Sequence, residues 1–183
     1  MRSLVRPTRR GFVRTLLLGG TCLPLVSATG EALAELPERV DSAYATLAVE
    51  VWADGLRFPW SAVRLPGGEL LVSEKHPGRL RRVGADGTVG DPLAGVPAVF
   101  AEGNAGLLGL VLDPAFARNR TFYFAFAEPG EGETAGLAVA RAELGPDRID
   151  AVEILFRQRP KVADIRDFGG RLAIGPDGHL YIF

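Results

Sequence analysis

Three stretches of this chain share one plan: an apolar strand, a proline-marked turn and a second apolar strand. They are SAVRLPGGELLVSE (61–74), LGLVLDPAFARNRTFYFAFA (108–127) and RLAIGPDGHLYIF (171–183). Their turn prolines fall at Pro66, Pro114 and Pro176, 48 and 62 residues apart. Repeats of that size, each with room for about four strands, predict an all-β chain of propeller blades. A β-sandwich is the alternative, because spacing alone does not separate the two. The chain holds about two blades and the start of a third. Gly 23 and Pro 13 of 183 residues agree with a chain full of turns.

Local patterns place the strands. Residues 47–53 alternate well enough for a first strand, followed by 61–65 and 69–73 around Pro66-Gly67-Gly68. Residues 79–83 return after Lys75-His76-Pro77-Gly78, and Ala85-Asp86-Gly87 makes the next turn. A second group comprises 107–112, the aromatic run 121–127, 136–143 and 152–156. The last hairpin pairs 171–174 with 180–183 across Gly175-Pro176-Asp177-Gly178, where proline fixes φ and glycine supplies a left-handed position. Ending in an uncapped apolar strand, the chain gives the expectation of a cut terminus, since such edges are usually covered or blunted.

The first 34 residues read as an export signal. Arg9-Arg10 precedes Phe12 and the weakly apolar run 15–28, the pattern of a twin-arginine leader, with cleavage expected after Ala28 or Ala34. The alternative, a membrane anchor, is disfavoured by Gly19, Gly20 and Pro24 and by a run shorter than the ~20 residues of a span. The implied location is periplasmic or extracellular, with 35–46 a polar linker and 47–183 the propeller part. Cleavage after Ala34 removes five arginines and Glu31, taking 21 basic and 22 acidic residues to 16 and 21, a charge of −5. No basic patch is left for nucleic acid or anionic lipid. Cys22 lies inside the leader, so the mature chain has no cysteine for a disulfide or metal site.

The order of short motifs resembles a known family. Gly55-Leu56 with Pro59-Trp60, Leu71-Val72-Ser73-Glu74 and Pro77-Gly78-Arg79-Leu80 resemble the opening blade of the soluble PQQ-dependent sugar dehydrogenases, the glucose/sorbosone dehydrogenase family. Asn104-Ala105-Gly106-Leu107-Leu108-Gly109 is similar to that family's G-Q-x-G-L-L stretch, and Asp113-Pro114-Ala115-Phe116 to its H-P-x-F. Ile154 to Gln158, Pro160-Lys161 and Phe168-Gly169-Gly170-Arg171-Leu172 resemble the approach to its catalytic strand.

The resemblance implies a six-bladed propeller, an aldose substrate, an electron acceptor, and PQQ and Ca²⁺ as cofactors. It also implies a histidine base that takes the C1 hydroxyl proton while hydride passes to PQQ. That base position is Asp167 here, with Arg166 before it. The sugar-touching glutamine corresponds to Asn104, a shorter amide with the same donor and acceptor. A carboxylate of unperturbed pKa about 3.9 is a weak base unless burial raises it, and a neighbouring arginine acts the other way. Residues that would hold PQQ and Ca²⁺ are expected beyond Phe183, and no metal cluster is legible in this chain. His76 and His179 occupy turn contexts that are usually solvent-facing. Asp167 in the histidine's place leaves a second class open, a non-catalytic propeller that binds or scaffolds. A lactonase-like hydrolase would need a Glu/Asn/Asp metal cluster.

Overall fold

The computed structural model describes residues 39–163 and 166–183, so the export-signal reading of 1–34 lies outside the described residues. Twelve strands are assigned among the described residues, with one helical turn. A two-stranded ribbon, β1 (Arg39–Asp41) and β2 (Thr46–Ala48), comes first. A four-stranded sheet follows, β3 (Pro59–Arg64), β4 (Leu70–Glu74), β5 (Arg79–Val83) and β6 (Val89–Pro92), antiparallel in chain order. The second sheet is β7 (Leu107–Leu112), β8 (Thr121–Pro129), β9 (Ala135–Leu144) and β10 (Ile149–Arg157), again antiparallel and in order. The short helix α1 (Phe116–Asn119) joins β7 to β8. β11 (Leu172–Ile174) and β12 (Leu180–Ile182) form the last hairpin.

These are blades. β3, β7 and β11 are the inner strands, with β7 between the other two. Gly109 N–H donates to the Gly170 carbonyl at 3.1 Å, and the Ser73 hydroxyl donates to the Leu108 carbonyl at 2.7 Å. The inner strands all start at the same face, here called the top, so each blade-joining segment arrives there. The register along β8 shows why the sheets stack. Phe122, Phe124 and Phe126 share one face, fully buried, with successive ring centroids 5.6 Å apart. They enter a core that also holds Leu65, Leu71, Leu80 and Leu93 of the first blade. On the opposite face of β8, Ala125 meets Leu172 in a second, smaller core. Period-two alternation thus serves two neighbours at once.

Three hairpin turns repeat one geometry. Gly68, Gly87 and Gly178 each donate N–H to the carbonyl three residues back, at 2.9, 2.9 and 3.0 Å. All three have positive φ, 91°, 84° and 78°, which is why Gly closes each turn.

The structure departs from the sequence expectation at the N-terminal side. Residues 47–53 do not form one strand: only Thr46–Ala48 pairs, and it pairs with Arg39–Asp41 inside the stretch expected to be linker. The rest packs by its backbone, the Trp52 carbonyl lying so close to Gly87 that no side chain fits there. β6 was not legible, since Val89–Pro92 contains Gly90 and Pro92, both unfavourable in strands. The unequal repeat spacing also has a simple origin. β4, β5 and β6 hold 5, 5 and 4 residues, whereas β8, β9 and β10 hold 9, 10 and 9. With the inner strands β7 (6 residues) and β11 (3 residues) counted in their intervals, strands account for 11 of the 14 residues by which the two spacings differ, so the second repeat is longer mainly because its strands are longer.

Candidate functional site

The top face is built by four segments: 55–58 before β3, the β4–β5 turn 75–78, 101–106 before β7, and 166–171 before β11. The turn 75–78 and the loop 101–106 are tied together. Leu107 N–H donates to the Lys75 carbonyl at 3.2 Å, and His76 Nε2 lies 3.0 Å from the Ala105 carbonyl oxygen. Ala105 is fully buried in a small apolar cluster with Ala127 and Ala135, and Phe168 packs against that cluster. Asn104 precedes Ala105 and Asp167 precedes Phe168, so the fold brings both sequence-predicted site positions to one corner of the top face. Both side chains are exposed.

The corner 167–171 is shaped by small residues. Gly170 has φ 84° and lies so close to β7 that a Cβ would sit 2.8 Å from Leu108 Cδ1. Gly169, φ 60°, faces the Phe183 carbonyl in the same way. Asp167 itself has φ 38°, a region unusual for any residue with a side chain. Its carboxylate has no hydrogen bond or ion pair to another described residue. Alongside, a cleft of about 1030 Å³ opens on the axis, lined by Trp60, Ser61, Ala62, Gly109, Gly169, Arg171 and Phe183. The Lys75 ammonium sits 5.1 Å from the Trp60 ring centroid.

His179 is exposed and pairs with Asp177 at 3.1 Å, in line with its turn context. His76 is not solvent-facing as expected. Its ring is half-buried, 5.2 Å from the Phe58 ring. No sequence signal marked this, because one partner, Ala105, lies 29 residues downstream and the other, Phe58, in the segment before β3. Asp113, at the opposite face, is structural. Burial alone would raise its pKa, but the Ala115 N–H, Asn119 and Tyr123 donors and the Arg118 charge outweigh that and lower it. Glu128 behaves similarly: burial opposes ionisation, and bonds from Lys161 and Arg157 overcome it, lowering its pKa.

Among the described residues no group of three or more His, Cys, Asp or Glu converges to hold a metal. The cleft presents a single cationic side chain, Arg171, toward what would be a carboxylate-bearing quinone. The described residues therefore do not by themselves make a seat for PQQ or Ca²⁺. No helix among them is long and apolar enough to cross a membrane.

Comparison with known proteins supplies the missing context. The family model for glucose / sorbosone dehydrogenase matches residues 56–183. The chain belongs to the glucose/sorbosone dehydrogenase family. It is 38% identical over 143 residues to the aldose sugar dehydrogenase YliI of Escherichia coli K12, covering 77% of this chain and 38% of that protein. A crystal structure of a glucose dehydrogenase is 44% identical with a TM-score of 0.67, over 72% of this chain and 39% of the other. The PQQ-bound aldose sugar dehydrogenase of Streptomyces coelicolor is 33% identical with a TM-score of 0.64, over 73% and 40%. The blades are thus those of a family β-propeller. The chain spans about two fifths of the length of these relatives.

Proposed function

We propose that this chain is the N-terminal part of an exported, PQQ-dependent sugar dehydrogenase that oxidises an aldose at C1 to the lactone. Residues 1–34 are its twin-arginine leader and the mature protein works in the periplasm or outside the cell. The observation that carries this reading is the packing of Phe168 on the Ala105 cluster, which brings the neighbouring Asn104 and Asp167 to one corner of the top face, in a chain whose relatives include sugar dehydrogenases. Asn104 has an amide that both donates to and accepts from sugar hydroxyls. Asp167 stands where a base would take the C1 hydroxyl proton. Lactone formation removes two electrons and two protons from the sugar, so an electron acceptor is required. The PQQ-bound relative supports PQQ in that role, and the family resemblance supports Ca²⁺. In this reading the seats for both, and the rest of the sugar pocket, come from blades that this chain does not contain, and residues 35–183 alone are inactive.

A second reading is favoured by one observation: where the family resemblance implies a histidine base, the chain carries an exposed carboxylate, Asp167. In that case the propeller binds or scaffolds without catalysis. One experiment separates the two. The product of the complete reading frame, loaded with PQQ and Ca²⁺, is assayed for aldose-dependent dye reduction beside residues 35–183 alone. Turnover is expected only from the complete product, and Asp167→Asn should lower it by about 10²-fold or more if Asp167 is the base. Turnover from residues 35–183 would overturn the requirement for further blades. A folded complete product that stays inert even as Asp167→His establishes the scaffold.

A further inference from the structure

We propose that His76 is a positioning residue that holds Asn104 at the sugar site, acting from the first blade on a loop of the second. The proposal rests on the reading of Asn104 as a sugar-binding amide. His76 lies in the β4–β5 turn, and its Nε2 is 3.0 Å from the carbonyl oxygen of Ala105, the residue next to Asn104. A carbonyl only accepts, so Nε2 carries the proton in this contact. The 102–105 turn is tight, Ala105 N–H donating to the Glu102 carbonyl at 2.9 Å, with Gly103 at φ 56°. A ring fixed against Ala105 therefore fixes the direction in which Asn104 leaves the loop.

The ring has its own support. Phe58 stands 5.2 Å away at a 56° tilt, and its φ of 46° is unusual for a bulky residue. Two bonds hold that backbone. Arg57 N–H donates to Glu74 Oε1 at 2.6 Å, and Lys75 N–H donates to the Phe58 carbonyl at 2.9 Å. Glu74 is fully buried and anchored by Arg79 at 2.7 Å and Arg81 at 3.5 Å. A burial-fixed carboxylate thus sets a backbone, the backbone sets an aromatic ring, and the ring backs the imidazole.

Lys75 holds a different part of the same loop. Its carbonyl holds Leu107 N–H, and its side chain lies so near Gly106 that a Cβ there would be 2.5 Å from Lys75 Cγ. Both contacts fix the exit of the loop toward β7. The His76 bond fixes the crown, where Asn104 sits.

The test uses the complete reading-frame product with PQQ and Ca²⁺, comparing His76→Leu, His76→Gln, Asn104→Ala and the His76→Leu/Asn104→Ala pair. Loss of one neutral hydrogen bond should raise the aldose KM of His76→Leu roughly fivefold, with kcat nearly unchanged. Gln, which offers an N–H at similar reach, should restore the KM. The pair should be no worse than Asn104→Ala alone, because the positioning has nothing left to position. Amide exchange at 104–107 should accelerate in His76→Leu and not in His76→Gln. A KM unmoved by His76→Leu while exchange rises overturns the proposal and leaves a purely structural latch. Unchanged exchange overturns the latch itself. Absence of aldose turnover in the unsubstituted protein sinks the dehydrogenase reading, and with it the role of Asn104, while exchange still decides whether His76 holds the loop.

Discussion

The second blade has two neighbours and meets them by different means. Toward the first blade it presents Phe122, Phe124 and Phe126, interleaved with leucines, and side-chain ties cross the seam. Ser73 reaches the Leu108 carbonyl at 2.7 Å, and the Ser61 hydroxyl accepts from Leu110 N–H at 3.2 Å. Toward the β11–β12 hairpin it presents Ala125 and Gly109, and the tie there is backbone to backbone, Gly109 N–H to the Gly170 carbonyl. The first seam is mainly a side-chain interface, whereas the second joins a smaller apolar cluster of Leu108, Val139 and Leu172 to a close main-chain approach at Gly109. The first tolerates small losses, because many contacts share the load. The second tolerates no addition, because there is no slack between two main chains.

Phe124→Ala should break the first seam most severely. It removes the middle ring of the ladder, and a cost of about 3–5 kcal/mol is expected, measured by denaturant unfolding. Unfolding of both four-stranded sheets in one step would confirm that they share a core. Two separate transitions would mean that each blade stands alone.

Gly109→Ala probes the second seam from the opposite direction. Its Cβ would collide with the Gly170 carbonyl and sit 3.2 Å from Arg171 Cα, both backbone atoms unable to swing away. A loss of about 1–3 kcal/mol is expected, with amide exchange rising in 172–182 while β4 and β5 stay protected. Uniform acceleration across the molecule would erase the distinction between the seams.

Ser73→Ala should cost about 1–2 kcal/mol, since the Leu108 carbonyl loses its donor in a dry environment. The smallest effect concerns acid. Glu128 has a lowered folded pKa, so its contribution is present above its unfolded value near 4.5 and is lost as pH falls through the folded value. Glu128→Gln should therefore flatten the stability profile below about pH 4.5 by well under 1 kcal/mol, as fits a partly exposed pair. Thermal unfolding across that range reads it directly.

Much of the fold was legible because its determinants are local. The turns at 65–68, 84–87 and 175–178 are written in Pro, Asp and Gly, and the ladder of β8 is plain in the alternation of Phe with Tyr and Ala. The first strand was misplaced because a run such as 47–53 alternates whether or not a partner exists, and here Gly87 offers a backbone seat instead. The site was legible only through resemblance. Asn104 and Asp167 are 63 positions apart, and what joins them is the packing of Phe168 on Ala105, Ala127 and Ala135. His76 was misjudged for the same reason, since a turn residue gains its partners from segments that the local pattern does not show.

The longer strands of the second repeat have a further consequence. Ala127, Glu128 and Pro129 pair with Leu137, Gly136 and Ala135 beyond the level at which β7 begins at Leu107. This extension is not free: Ala127 N–H donates to the Gly106 carbonyl at 2.9 Å, and Ala127 and Ala135 are buried beneath Phe100 and Phe168. Arg157 and Lys161 buttress that extension through Glu128. The added residue pairs are the bed on which the approach to the third blade lies, since Phe168 rests on Ala127 and Ala135 as well as on the cluster of Leu108 and Leu172. Shortening β8 and β9 by those pairs would take away the footing of Phe168 and, with it, the position of Asp167.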